Sequence, residues 1–208
     1  MLKRSVYSGL LVLSALILLT QSGCLNQPGR IVAPSIDADA AGPQAITLYD
    51  ANHDGKISGP EFDKVPSLGS PQALANFKST KDKGVTAADI TARVKAWQAT
   101  KIGRVGGIVA HVTRAGKDVA GADVKFVPEK FLGEGLPECK GTTGPDGNAQ
   151  VSVPVEPGDP PGVPPGYYRV EITMSDGSIP AKYNTQTTLG EEICPDVRRS
   201  VGYNYDLK

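Results

Sequence analysis

Residues 50 to 61 read Asp50-Ala51-Asn52-His53-Asp54-Gly55-Lys56-Ile57-Ser58-Gly59-Pro60-Glu61. Side-chain oxygens stand at the first, third, fifth, ninth and twelfth places of this stretch, glycine at the sixth and a branched apolar residue at the eighth. Three carboxylates, an amide and a hydroxyl so close together resist burial in a helix or a strand. They suit a curled loop that turns its oxygens inward onto a hard cation, and calcium takes six to eight such oxygens. Asp50, Asn52 and Asp54 would each present one. Gly55 permits the sharp bend, because left-handed backbone is cheap without a Cβ. Lys56 would contribute its backbone carbonyl, Ser58 would ligate directly or through water, and Glu61 would close the site with both carboxylate oxygens. The bland alternative is an Asp/Asn/Gly turn that binds nothing. Ile57, Ser58 and Glu61 go beyond what a turn needs.

This stretch resembles, residue for residue, the calcium loop of an EF-hand. A second loop stands in register 28 residues later, where Asp82, Val85, Thr86 and Asp89 match Asp54, Ile57, Ser58 and Glu61. Lys78, Thr80 and Lys83 replace the remaining key residues, and lysines oppose a cation site. The second loop is therefore expected to be metal-free and to pair Val85 with Ile57. A short entering helix over 44–50, a short exit helix from Glu61 and a last helix over 89–99 complete an EF-hand pair over 44–101. Trp97 is expected as a core anchor.

Upstream, Lys3 and Arg4 precede an apolar run from Gly9 to Thr20, which ends in Ser22-Gly23-Cys24. The run is short for a membrane span and reads as a secretion signal over 1–23. Its end resembles a bacterial lipobox, although Gln21 departs from that pattern. The resemblance implies that Cys24 is lipidated and becomes the new N-terminus. Ordinary cleavage that leaves Cys24 unmodified is the alternative. Residues 24–43, with Pro28, Gly29, Pro34, Gly42 and Pro43, read as a tether holding the folded part off the membrane. The chain is neutral overall, with 22 basic and 22 acidic residues, so nothing points to nucleic acid.

At Lys101 to Arg104 the apolar period changes from helical to alternating. Ile108, Ala110 and Val112; Ala122, Val124 and Phe126; Ala149, Val151, Val153 and Val155; Tyr168, Val170, Ile172 and Met174; and Val201, Tyr203, Tyr205 and Leu207 each recur at every second residue. Sheets with one apolar and one polar face follow, which is the mark of a β-sandwich. Residues 102–208 resemble the carboxypeptidase-regulatory-like, transthyretin-like sandwich of bacterial surface lipoproteins. The segments that carry the likeness are Gly106–Val109, Gly116–Val124, Thr142–Gly147, Gly166–Val170 and Ile179–Asn184. The resemblance implies an accessory or adhesive module. The expected fold class is thus α+β and multidomain, a helical EF-hand pair followed by an all-β immunoglobulin-like sandwich.

Cys139 and Cys194 are the cysteines beyond the leader. In an exported chain they are expected to pair, a closure of about 56 residues and roughly 4 kcal/mol; two separate thiols are the alternative. No phosphate loop or hydrolase signature is present, His53 faces outward from the loop, and His111 lies on a strand. The Tyr-Arg-Gly-Ser ending of the transthyretin-like hydrolases is missing. The reading is therefore a calcium-binding, lipid-anchored, monomeric envelope protein, not an enzyme, with Ca2+ as its cofactor and an envelope protein as its partner. A glycan is the alternative partner, with Tyr167, Tyr183 and Tyr203 as candidate stacking rings, and a hydrolase of transthyretin-like fold, which would cluster His111 with a carboxylate, is the third reading.

Overall fold

The computed structural model describes residues 31–155, 157–196 and 202–208. The leader and Cys24 lie outside the described residues, as does Val201 at the head of the last strand.

Helix α1 (Ala38–Tyr49) starts where the Asp37 side chain accepts the backbone N–H groups of Asp39 and Ala40, at 3.1 and 3.0 Å. This is six residues before the expected start at 44, and it claims residues 38–43 from the expected tether. Ile36, just ahead of the helix, is buried too. The reason is tertiary. Ala38, Ala41, Gly42 and Ala45 form a buried, small-residue face, and that face lies against the helix Ala87–Ala99. A methyl group at Gly42 would fall on the Ala87 carbonyl oxygen and Thr91 Oγ1. Pro43 sits inside α1, although an interior proline costs about 3 kcal/mol of helix stability. Its neighbours' packing outweighs that cost.

Strand β1 (Lys56–Ile57) pairs antiparallel with β2 (Val85–Thr86), and Ile57 stands opposite Val85 as the sequence register requires. After β1 the chain enters a 3₁₀ turn, Gly59–Asp63, where an α-helix is expected. Pro66 disfavours helical backbone at Val65, so there is no room for further turns. Ser70 caps α2 (Pro71–Phe77) by accepting the Ala73 N–H. Thr86 and Asp89 cap α3 (Ala87–Ala99) reciprocally.

The rest forms two sheets. β3 (Val109–Arg114) pairs antiparallel with β4 (Lys117–Asp118), and likewise with β7 (Asn148–Gln150), while β10 (Tyr203–Leu207) runs parallel to it. The second sheet has the order β6 (Cys139–Thr142), β5 (Asp123–Pro128), β8 (Gly166–Thr173), β9 (Gly190–Ile193), all antiparallel. The alternating apolar residues of β3, β5, β8 and β10 are buried as expected, and Phe126 meets Tyr203 edge-on between the sheets at 5.9 Å. Val155 is a departure, since it is exposed. The architecture is α+β.

The helical part is not a separate body. Tyr167 on β8 points away from the sheet-to-sheet interior and is fully buried against Trp97 at 4.8 Å, Phe131 at 5.8 Å and Phe77 at 6.1 Å. The helices form a third layer on the outer face of the β6-β5-β8-β9 sheet. The change of period at 101–104 marks a change of secondary structure within one continuous core.

The expected disulfide is not formed. Cys139 opens β6 and Cys194 follows β9, with β5 and β8 between them. Three strand spacings amount to about 14 Å, whereas a bridge needs Cα atoms about 4.4–6.8 Å apart. Both are free, buried thiols, and burial pushes each up to about 12.

Two outcomes follow. Gly42→Ala should lose about 2 kcal/mol in urea unfolding, because overpacking against α3 exceeds the alanine helix gain. In a chain beginning at Leu25, neither thiol should react with a maleimide while folded, and both should react once unfolded, as seen by mass spectrometry.

Candidate cation loop and its mounting

The loop is wound by its own backbone N–H groups. Asp50 Oδ1 accepts from Asp54 N at 3.2 Å and its Oδ2 from Gly55 N at 2.9 Å. Asn52 Oδ1 accepts from Asp54 N at 2.9 Å, and Asp54 Oδ1 from Lys56 N at 3.1 Å. Glu61 reaches back across the loop. Its Oε1 accepts from Ala51 N at 2.8 Å and Asn52 N at 3.3 Å, and its Oε2 accepts from Ser58 N at 2.8 Å. Three residues of the loop take left-handed backbone, His53 at φ 59°, Gly55 at φ 85° and Gly59 at φ 51°. A side chain at Gly55 would meet no neighbour, so conformation and not space is what favours glycine there.

Asp50 and Glu61 are both buried, at 6% and 8% exposure. Neither forms an ion pair with a basic side chain among the described residues. Buried carboxylates are costly unless a charge or several donors offset them; here only backbone N–H groups do. Glu61 Oε1 already accepts twice, whereas the Asp50 oxygens and Glu61 Oε2 each accept once and keep a further lone pair for a cation. In donor type, charge and backbone path the residues fit a hard divalent ion. The convergence is incomplete, however: among the described residues no three His, Cys, Asp or Glu side chains gather closely enough to hold a metal. In the second loop the Asp89 carboxylate is occupied in capping α3, bonded to the Thr86 N–H and hydroxyl, and Lys78 is a left-handed helix cap at φ 53°.

Two carboxylates that the sequence reading did not single out mount this unit on the sheet. Glu192 on β9 accepts from Arg93 Nε, from Asn76 Nδ2 at 2.7 Å and from Trp97 Nε1 at 3.1 Å. Arg93 also pairs with Asp196 through two nitrogens, at 2.7 and 2.9 Å. Burial raises the Glu192 carboxyl above its usual range, and the Arg93 guanidinium opposes that rise. Glu129, just after β5, is 2% exposed and accepts from Ser67 Oγ at 2.8 Å. Burial pushes its carboxyl up to about 7, against the pull of Ser67, Arg169 and Tyr49. Arg169 itself is paired with Glu171 at 2.9 Å. Burial and the Glu129 carboxylate together raise the Tyr49 phenol to about 12. Only the break of alternation at Pro128-Glu129 hints at this role in the sequence.

The other sequence candidates fare differently. Tyr167, Tyr183 and Tyr203 are 0%, 8% and 7% exposed, so none offers a ring face to a sugar. They pack the sheets instead. His111 does meet a carboxylate, Asp118 Oδ1 at 2.9 Å, which is what a hydrolase reading asks for. Both side chains stand well open to water, at 34% and 48% exposure, without the enclosure that tunes a catalytic pair. Among the described residues no helix is long and apolar enough to cross a membrane. No family model, curated protein or solved structure matches the chain, so the family resemblances rest on the residues quoted for them.

The Glu129 carboxyl has a consequence for stability. Its folded value, about 7, lies above the ordinary 4.5. The folded chain therefore holds this proton more tightly than the unfolded chain. Its stabilising share is complete below about pH 4.5 and is lost as pH rises through 7, a change of about 3 kcal/mol at most. Glu192 acts in the same direction. Urea unfolding should give higher stability at pH 5 than at pH 8, and Glu129→Gln should flatten much of that slope.

Proposed function

We propose that this protein is a calcium-binding, lipid-anchored protein of the bacterial cell envelope, whose sheets form a structural or partner-binding module. The observation that carries the calcium reading is the burial of Asp50 and Glu61 at the two ends of one oxygen-rich loop, with no basic side chain among the described residues paired to either. A divalent ion would supply the missing positive charge. Asp50, Asn52, Asp54, the Lys56 carbonyl, Ser58 and Glu61 would hold it, and its role would be to lock the loop. The finer fold reading belongs with this proposal. The paired loops, with Ile57 opposite Val85, support a degenerate EF-hand pair, and the two facing sheets support a transthyretin-like sandwich.

The anchor is proposed from Ser22-Gly23-Cys24 after the apolar leader. Acyl chains on Cys24 would give stable attachment only if there were more than one. The helical layer shares its core with the sheet through Tyr167, so calcium would stiffen the module as a whole. That favours a constitutive structural role over a switch.

Extracellular calcium modules bind at about 10⁻⁴ to 10⁻³ M, and this loop should fall in that range. Calorimetry on a chain beginning at Leu25 should show one site, weakened at least about tenfold by Glu61→Gln. Calcium at ten times its dissociation constant should add about 1.4 kcal/mol to unfolding. Identical melting curves in millimolar calcium and in EDTA would overturn the reading.

A further inference from the structure

Both arms of the 50–61 loop reach one short segment, Glu129 and the 3₁₀ turn Lys130–Leu132 that follows it. The incoming arm is α1, whose last residue, Tyr49, directly precedes Asp50. Tyr49 packs edge-on to Phe131, two residues beyond Glu129, at 6.4 Å. The outgoing arm leaves Glu61 through the 3₁₀ turn and reaches Ser67, which is fully buried and donates its hydroxyl to Glu129 Oε1 at 2.8 Å. Around Ser67 the fit is close. A methyl group at Gly190 of β9 would fall on the Ser67 backbone nitrogen. Glu129 belongs to neither arm. It is held from below, at the end of β5, where its N–H bonds the Tyr167 carbonyl oxygen at 2.9 Å.

We propose that Glu129 is a positioning residue for the cation loop, a clasp on the rigid sheet that sets how far apart the two arms of residues 50–61 stand. The inference rests on the calcium reading for its purpose, though the clasp is defined without it. Bidentate closure by Glu61 requires the outgoing arm to lie at a set distance from Asp50. Five residues lie between Glu61 and Ser67, and the Ser67–Glu129 bond fixes where that segment meets the sheet. Sites are more precise when a rigid element supports them than when a loop must support itself. Oxygen ligands for calcium need positions good to a few tenths of an ångström. Glu192, the other buried carboxylate of the interface, touches α2 and α3 but neither arm. It is therefore the natural control.

The test compares Glu129→Ala, Glu129→Gln and Ser67→Ala with Glu192→Gln, in a chain beginning at Leu25. The first readout is hydrogen exchange without calcium. In Glu129→Ala and Ser67→Ala, the Ala51, Asn52 and Ser58 amides, which Glu61 now holds, should exchange at least tenfold faster. The α3 amides should change far less. In Glu192→Gln the α3 amides should speed up and the loop amides should not. The second readout is calcium affinity by calorimetry. It should fall about tenfold in Glu129→Ala, about threefold in Glu129→Gln, and stay within twofold in Glu192→Gln. Should Glu129→Ala not fold, the Gln and Ser67→Ala variants decide. Equal acceleration of loop and α3 amides, or an unchanged loop, overturns the clasp. A wild-type chain that ignores calcium overturns the cation reading instead, while the exchange comparison still judges the clasp.

Discussion

The arrangement depends on Tyr167. This residue lies on β8, is fully buried, and has two aromatic rings of the helical layer, Phe77 and Trp97, packed against it together with Phe131 from the turn after β5. Burying a tyrosine of this kind removes about 150–250 Å² from water. The contact lies between elements more than 60 residues apart in sequence, since Trp97 belongs to α3 and Tyr167 to β8. Without it, α1, α2 and α3 would have small apolar faces and a two-strand ribbon, too little to fold alone. With it, the helices become a layer on a sheet whose other face already packs against a second sheet.

Two buried carboxylates flank that apolar centre and answer different needs. Glu192 is paired, because Arg93 reaches it from α3 and spreads its remaining donors onto Asp196. Glu129 has the Ser67 hydroxyl as donor, and the nearby Arg169 guanidinium is engaged with Glu171. The first is an ion pair that orients a helix. The second is a carboxyl held by burial near neutrality, whose hydrogen bond to Ser67 ties the chain leaving the loop to the sheet. An unpaired acid in such a place costs stability at high pH, and its presence marks a place where geometry matters more than stability.

The loop follows the same logic on a smaller scale. Asp50, Asn52, Asp54 and Glu61 each accept backbone N–H groups, so the curl is held by the protein's own groups. Under the calcium reading proposed above, such preorganisation would lower the ordering cost of binding. The likeness between the two loops extends to hydrogen bonding. Glu61 accepts the Ser58 N–H as Asp89 accepts the Thr86 N–H. In the second loop that carboxylate caps α3, and Lys78 stands where Asp50 stands in the first loop and Lys83 where Gly55 does.

Much of this was legible in the sequence, and the reason is range. The period-2 strands, the oxygen spacing of 50–61 and the opposition of Ile57 to Val85 are set within a few residues or by a short internal repeat, where backbone preference decides. The start of α1 at Ala38 was not legible, because Gly42 and Pro43 argue locally for a break and only the close approach of α3 turns them into an asset. The separation of Cys139 from Cys194 depends on strand order, which composition does not encode. Tyr167, Tyr183 and Tyr203 look alike as sequence, yet all three are buried because of what packs on each face of the sheet. Glu129 is the sharpest case: an ordinary acidic residue in the chain, given its place by Ser67 and Tyr49 arriving from far away in sequence. Local order follows from what lies within reach of a residue's own backbone and can be read along the chain; which side chains share a buried space follows from packing, because burial depends on contacts that close long loops.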